Sequence, residues 1–423
     1  MKKNYLHLAC TLLVLALAVS ISFGGGYQIN EHGARSMGMG GAFVARALDG
    51  SAIYFNPAGL AFQSGFHAMI GTTLIFPSTT FTGPSPLTTE TSMNSQVFYP
   101  SNLYASYSLN DKWVVGLGVF SPYGLGTEWP STWPGSQLAV KTDLQTFYIN
   151  PTVAYKVNDK LAFGAGISIV LGSAKMSYNV QTYSSLLPPT PSASLGTASL
   201  DGTGNGVCFN VGAMYKATDK LSVGASYRSL VNLDLKGTAS FDNMQALTTF
   251  FPGGDGSLTL PMPSNLFVGV AYEVSPKLTL EGDFQWVGWT SYDKLAVSIT
   301  NGPTSPLGVL QKSPAPQIEN WDDGYLLRIG GEYTVNSKLM LRAGYIMDIT
   351  PQPLSKTDPK LPDANRNDIS VGGSYQLSPK LHVDLSYMIV LFNQRDVNNS
   401  AWGFNGTYKS NASLVSVEFG YTF

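Results

Sequence analysis

Apolar and polar residues alternate along most of this chain, in runs that each follow a short polar turn ending in Lys. Six such turns occur: Asn110-Asp111-Lys112, Asn158-Asp159-Lys160, Thr218-Asp219-Lys220, Ser275-Pro276-Lys277, Asn336-Ser337-Lys338 and Ser378-Pro379-Lys380. After the second, Leu161, Phe163, Ala165, Ile167, Ile169 and Leu171 share one face, while Ala162, Gly164, Gly166 and Ser168 share the other. After the fourth, Leu278, Leu280, Phe284 and Trp286 oppose Thr279, Glu281, Asp283 and Gln285; after the sixth, Leu381, Val383, Leu385 and Tyr387 oppose His382, Asp384 and Ser386. The apolar set is always in phase with the residue following the Lys. A period of two predicts strands that all turn the same face outward.

Carboxylates and Arg recur on the opposite face of these strands. A soluble sandwich would hide that face, whereas a membrane barrel turns it to a polar lumen. The Lys residues are spaced 48, 60, 57, 61 and 42 apart, so the variable length lies in the connections at the other rim. Six hairpins give twelve strands. A further alternating segment, about Phe66 to Phe76, precedes them, and Val415 to Phe423 closes the chain. Twelve plus two makes fourteen, an even number that lets first and last strands pair antiparallel and leave no edge. The predicted fold is all-β, a 14-stranded antiparallel transmembrane β-barrel over residues 66–423. Its outer connections fall at about 78–99, 124–141, 177–206, 237–262, 291–322, 350–367 and 393–411.

Residues 25–65 do not alternate. They include Gly26-Tyr27-Gln28-Ile29-Asn30-Glu31, a small-residue run from Ser36 to Ala42, and Asn56-Pro57-Ala58. The run Gly38-Met39-Gly40-Gly41 lacks the Lys-Ser/Thr ending and the preceding strand of a phosphate loop. Some forty compact, mildly apolar residues before the first strand predict an N-terminal plug, or hatch, inside the lumen.

Composition agrees with a membrane setting. Only 12% of the 423 residues are charged, about half the share in soluble domains, and the net charge of −2 gives no reason to expect nucleic acid. Lys2 and Lys3 precede an apolar stretch from Leu8 to Phe23, which reads as a signal peptide over residues 1–24 cleaved near Gly24. With Cys10 removed, Cys208 would stand alone, excluding an intramolecular disulfide. No pattern calls for a metal or cofactor.

Taken with the fourteen-strand count, several motifs resemble the FadL/toluene-transporter (TodX) family of outer-membrane transporters for long-chain fatty acids and hydrocarbons. The resemblance covers essentially the whole mature chain. Gly25 to Glu31 looks like the start of the family's plug, and Asn56-Pro57-Ala58 its Asn-Pro-Ala motif. Ser121-Pro122-Tyr123-Gly124-Leu125-Gly126-Thr127-Glu128 resembles the end of the third strand, and Thr142-Asp143-Leu144 the fourth. Asp348-Ile349-Thr350-Pro351-Gln352-Pro353 with Leu361-Pro362-Asp363-Ala364-Asn365-Arg366 resembles the sixth loop.

The resemblance implies a bacterial outer-membrane protein, exported by its signal peptide and placed by the assembly machinery among lipid and lipopolysaccharide, and acting as a monomer. It implies passive uptake of long-chain fatty acids or other hydrophobic small molecules, caught by outer loops and bound above the plug. Exit is sideways, through a gap at the third strand. Pro122 cannot donate to a ladder and Gly124 permits a bend, so Ser121, Pro122, Tyr123 and Gly124 are the candidate opening. The competing reading is that Pro122 only ends the strand. Tyr27 is expected to cap the pocket, and Asn56, Pro57 and Ala58 to set the plug beside the break. Inward parity adds Val114, Phe120 and Met388 as pocket walls.

The basic residues that hold a carboxylate in fatty-acid members align here with Tyr178 and Gln317, with Lys175 and Lys312 nearby but out of register. A neutral hydrocarbon or aromatic therefore stands beside a fatty acid as substrate. Arg228, Arg328, Arg342, Glu332, Asp384 and Glu418 are expected to brace the plug. Three rival functions compete with this one. A general porin needs no plug. A barrel enzyme finds no Gly-x-Ser-x-Gly elbow, and only His382 beside Asp384 suggests a dyad. A surface adhesin or receptor is compatible with transport.

Overall fold

The computed structural model describes residues 25–86, 88–183, 191–244, 253–299 and 316–423; the expected signal peptide and Lys312 lie outside them. Fourteen antiparallel strands form the wall. They are β1 (Phe66–Thr82), β2 (Ser101–Ser108), β3 in two pieces (Trp113–Phe120 and Gly124–Glu128), β4 (Lys141–Lys156), β5 (Leu161–Tyr183) and β6 (Pro191–Lys216). Two further broken strands follow, β7 (Leu221–Arg228, Val231–Asp242) and β8 (Gly254–Met262, Asn265–Ser275). The rest are β9 (Leu278–Val287), β10 (Gly324–Thr334), β11 (Leu339–Asp348), β12 (Arg366–Ser378), β13 (Leu381–Phe392) and β14 (Gly406–Thr422). The barrel closes where β1 pairs with β14, from His67 opposite Thr422 to Thr82 opposite Thr407.

The repeated turns share one chemistry. In each, the side-chain oxygen of the first residue accepts the amide of the Lys two positions on: Asn110 to Lys112 at 2.9 Å, Asn158 to Lys160 at 2.9 Å, Asn336 to Lys338 at 2.8 Å. Thr218, Ser275 and Ser378 do the same with a hydroxyl. Such side chains mimic a backbone turn and fix the hairpin. Beside these turns, Phe66, Tyr107, Trp113, Phe163, Tyr215, Tyr272, Tyr333 and Tyr375 are exposed on the outer face. They form the aromatic girdle expected where a barrel meets the bilayer surface.

Away from the turns, several strands run further than the alternation suggested. β1 continues to Thr82, residues 124–128 pair with β4, and β5 and β6 extend well into the expected 177–206 loop. The lipid-facing pattern ends near Leu171, but Thr, Tyr, Val and Ser keep the ladder going in water. Their β preference needs no apolar alternation.

Residues 25–62 occupy the lumen. They form two short helices, α1 (Ala34–Gly38) and α2 (Ala52–Phe55), and a 3-10 turn at Pro57–Phe62. Met39, Phe43, Val44, Ile53, Phe55 and Leu60 are fully or almost fully buried. Inward side chains of the wall hold this segment. Glu332 binds Arg35 at 3.0 Å, Arg46 at 2.7 Å and Arg342 at 2.7 Å, and Arg342 also binds Asp384 at 2.8 Å. Asp283 accepts the amides of Phe43 (2.7 Å) and Val44 (3.0 Å), and Glu281 that of Ala45 (2.6 Å). Arg328 donates to Asn30 and Arg228 to the carbonyl of Ile53. Glu418, expected in the same network, is buried with no hydrogen-bond partner for either oxygen among the described residues.

Candidate functional site: a break in the wall and the chambers behind it

Strand β3 changes partners halfway along. Its lower piece pairs with β2 from Ser108 opposite Val114 to Leu103 opposite Val119. Above that point the chain preceding β2 stays on β1, with the Phe98 and Ile75 amides each donating to the other's carbonyl. The upper piece of β3 stays on β4, from Gly124 opposite Gln145 to Glu128 opposite Lys141. Three residues, Ser121 to Tyr123, face only two on β4, which bends the strand inward. The result is a gap between β2 and β3. At its upper end, the Asn94 amide donates to the Glu128 carbonyl at 2.7 Å.

The start of the lumen segment takes up the inner edge left free. The Ile29 amide donates to the Pro122 carbonyl at 2.9 Å, and the Gly124 amide donates to the Tyr27 carbonyl at 3.0 Å. The break is therefore more than a strand end, because its backbone is paired on a new neighbour. Gly126 lies against the ring of Phe98 so closely that a Cβ would fall 1.9 Å from Phe98 Cζ. The motifs around loop six hold the other side of the same segment. Asp363 accepts the Gly26 amide at 2.8 Å and the Thr350 hydroxyl at 2.5 Å, and Arg366 binds Asp348 at 2.7 Å.

Tyr27 is 4% exposed. Its hydroxyl donates to the Pro261 carbonyl at 2.8 Å, and its ring meets Trp289 edge-on at 4.5 Å, with Tyr123 and Tyr292 also edge-on at 6.1 and 5.8 Å. Tyr123 in turn donates to Pro263 and accepts from Asn265. These bonds tie the break to β8 across the lumen.

Behind the break lies a cavity of about 540 Å³, within the roughly 300–1,000 Å³ of small-molecule sites. It reaches from Tyr27 and Ile29 past Ser121, Tyr123 and Gly124 to Tyr99 and Phe147. The last two are exposed on the outer face. A smaller chamber of about 70 Å³ shares Tyr27, Leu125, Leu144 and Leu361 with it. A mouth chamber of about 220 Å³ shares Met176, Leu295, Asp358 and Lys360 with the small one and includes Tyr178. Shared walls thus run from the outer mouth to the gap.

Not every expected residue joins this site. Asn56 accepts the Ala58 amide and donates to the carbonyls of Val44 and Ala213, capping the 3-10 turn. Pro57 and Ala58 sit on β5, where a Cβ on Gly164 would lie 2.4 Å from the Pro57 carbonyl carbon. The motif docks the segment on β5 and β6; Tyr27 to Ile29 is what meets the break. Phe120 is wholly buried, stacked with Tyr104 and Tyr148, and lines none of the three chambers; Val114 and Met388 are likewise packed away. Lys175 faces outward and pairs with Asp201 at 3.0 Å, because odd positions on β5 point away from the lumen. Ile29, Phe98 and Glu319 are site residues that the alternation did not mark. All three lie outside the runs that carry it.

A closed barrel with an apolar outer face, an aromatic girdle and a filled, ion-paired lumen is the architecture of an outer-membrane β-barrel. The chain belongs to the outer-membrane protein transport family (OMPP1/FadL/TodX), whose profile matches residues 15–423. It is 26% identical over 441 residues to the long-chain fatty acid transport protein of Salmonella typhi, covering 98% of each chain. It is also 26% identical over 307 residues to outer membrane protein P1 of Haemophilus influenzae, covering 68% of this chain and 64% of that protein. Among solved structures, a Pseudomonas aeruginosa FadL homologue has the same fold, with TM-score 0.83 and 22% identity over 94% of this chain and all of that one. The Pseudomonas putida toluene transporter TodX also matches, with TM-score 0.71 and 19% identity over 95% and 99%. The protein is therefore a transport-family barrel of the outer membrane.

Proposed function

We propose that this chain carries hydrophobic small molecules, fatty acids or hydrocarbons, passively into the outer membrane, and that they leave sideways between β2 and β3. One observation carries this reading: the 540 Å³ cavity starts at the buried ring of Tyr27 and ends in a gap in the wall. Each buried CH₂ gains about 0.8 kcal/mol on leaving water. A greasy solute thus gains by stepping into the bilayer and loses by crossing a wet pore. The tightly packed segment 34–61 offers no such pore. The names of relatives, one a fatty-acid transporter and another a toluene transporter, support the substrate class.

The reading leaves no part for catalysis. His382 lies 3.3 Å from Asp384, but Asp384 is engaged by Arg342, and Ser374 donates to that carboxylate instead of meeting the imidazole. Uptake of labelled oleate, octane and toluene by cells with and without the protein tests the proposal. Faster uptake of at least one with the protein is expected. Equal rates for all three would overturn it.

A further inference from the structure

The small chamber beside Tyr27 has apolar walls and one acidic end. Leu125, Leu144, Met176, Leu258, Leu260 and Leu361 supply the walls. Asp143, Glu319, Asp358 and Lys360 supply the charges, three carboxylates against one cation. That cation is already held, since Lys360 binds Asp358 at 2.9 Å and Gln317 at 3.0 Å. In the main chamber the balance is similar. Glu31, Asp143, Asp363 and Asp368 face it with Arg366, which Asp348 engages at 2.7 Å.

Glu319 differs from the other carboxylates. It is 3% exposed, lines the small chamber, and has no cation in contact among the described residues. Its backbone is fixed by the Asp293 carbonyl, at 2.7 Å, so the carboxylate is held at the chamber's edge. Its side-chain hydrogen-bond donor among the described residues is the Trp321 indole, which leaves acceptor positions of a buried carboxyl that a donor on a bound molecule would fill. Burial pushes this carboxyl up to about 7, with Asp358 adding to the rise. A second carboxylate brought into the same space would meet repulsion and find no free cation.

Resting on the uptake reading above, we infer that the chambers select a hydrophobic molecule whose polar end donates hydrogen bonds and carries no negative charge, an alcohol or amine, with Glu319 as acceptor. Fatty carboxylates are then the poorer ligands. The inference assigns Glu319 as the residue that sets specificity.

The test uses full-length protein in amphipol and four eight-carbon probes, octanol, octylamine, octanoate and octane, titrated by calorimetry. Octanol and octylamine are expected to bind about tenfold or more tighter than octanoate, the difference a charge-assisted hydrogen bond supplies. In Glu319→Leu, octane binding should persist while the advantage of octanol over octane disappears. Glu319→Gln retains an acceptor, so it should keep octanol and weaken octylamine. Heat-modifiable gel migration confirms that each variant is a closed barrel. Octanoate binding as tightly as octanol, or an octanol advantage that survives Glu319→Leu, would overturn the inference while leaving hydrophobic uptake standing. Binding of none of the four would remove the uptake reading and this inference with it.

Discussion

The amide of Ile29 donates to the carbonyl of Pro122 over 2.9 Å, so a strand of the wall takes its partner from inside the barrel. Pro122 itself has no amide to give, and its carbonyl is the group that pairs. The gap between β2 and β3 exists because this inner partner stabilises β3 in its bent course. Pairing that elsewhere closes the wall is here diverted to the lumen segment, so the chamber beside Tyr27 and the gap share one hydrogen-bonded strip of backbone.

Replacing Ile29 by Pro removes that donor. One hydrogen bond is worth about 1 kcal/mol net, roughly a fivefold change in an equilibrium constant. Octanol affinity is expected to fall by about that factor, with the barrel's melting temperature nearly unchanged. Calorimetric titration and a thermal melt check the two halves separately.

Arg342 bridges Glu332 and Asp384, all three buried. Changing it to Met leaves Asp384 without its Arg partner, and breaking a buried pair from one side costs about 3–5 kcal/mol. A clear drop in unfolding temperature is expected, together with ion conductance in planar bilayers as the lumen segment loosens. Adding Asp384→Leu should restore part of the stability, since the orphaned charge is then gone.

Lys175 should not matter for uptake. It pairs with Asp201 on the outer face, with its side chain 60% exposed. Such pairs contribute about 0–1 kcal/mol. Lys175→Ala is expected to leave both uptake rate and ligand affinity within about twofold of the parent, measured with labelled substrate.

Glu319 predicts the pH dependence of any carboxylate ligand. Burial disfavours its anion and pushes the carboxyl up to about 7; Asp358 raises it further, and Lys360, Lys356 and the Trp321 indole lower it. Below that pH it is neutral, and above it the chamber gains a negative charge. Octanoate, ionised throughout, should therefore bind less well at pH 8 than at pH 6, while octanol changes little. In Glu319→Gln the octanoate profile should flatten. A profile with the opposite slope would contradict the assignment.

The barrel was legible because its determinants are local. A period of two reports each strand's outward face, and an Asn, Thr or Ser followed two residues later by Lys reports each turn. The charges that brace the plug were legible for the same reason: Glu332, Arg342 and Asp384 sit at inward positions of clear strands. The chamber was less so. Phe120 has the right parity yet disappears into a stack with Tyr104 and Tyr148, which depends on what the lumen segment leaves empty. Glu319 lies in a connection with no period, and it lines the same chamber as Tyr27 from nearly three hundred residues away. Phe98 closing over Gly126 is likewise a consequence of the gap, which no pattern along the chain encodes.

The most direct measurement of the central claim is uptake through a barrel whose third strand lacks the break, Ser121 to Gly124. With a folded barrel confirmed by heat-modifiable migration, uptake of labelled octanol and octane is expected to fall to the level of cells lacking the protein. Uptake at the parent rate through the wall without that segment would contradict lateral exit.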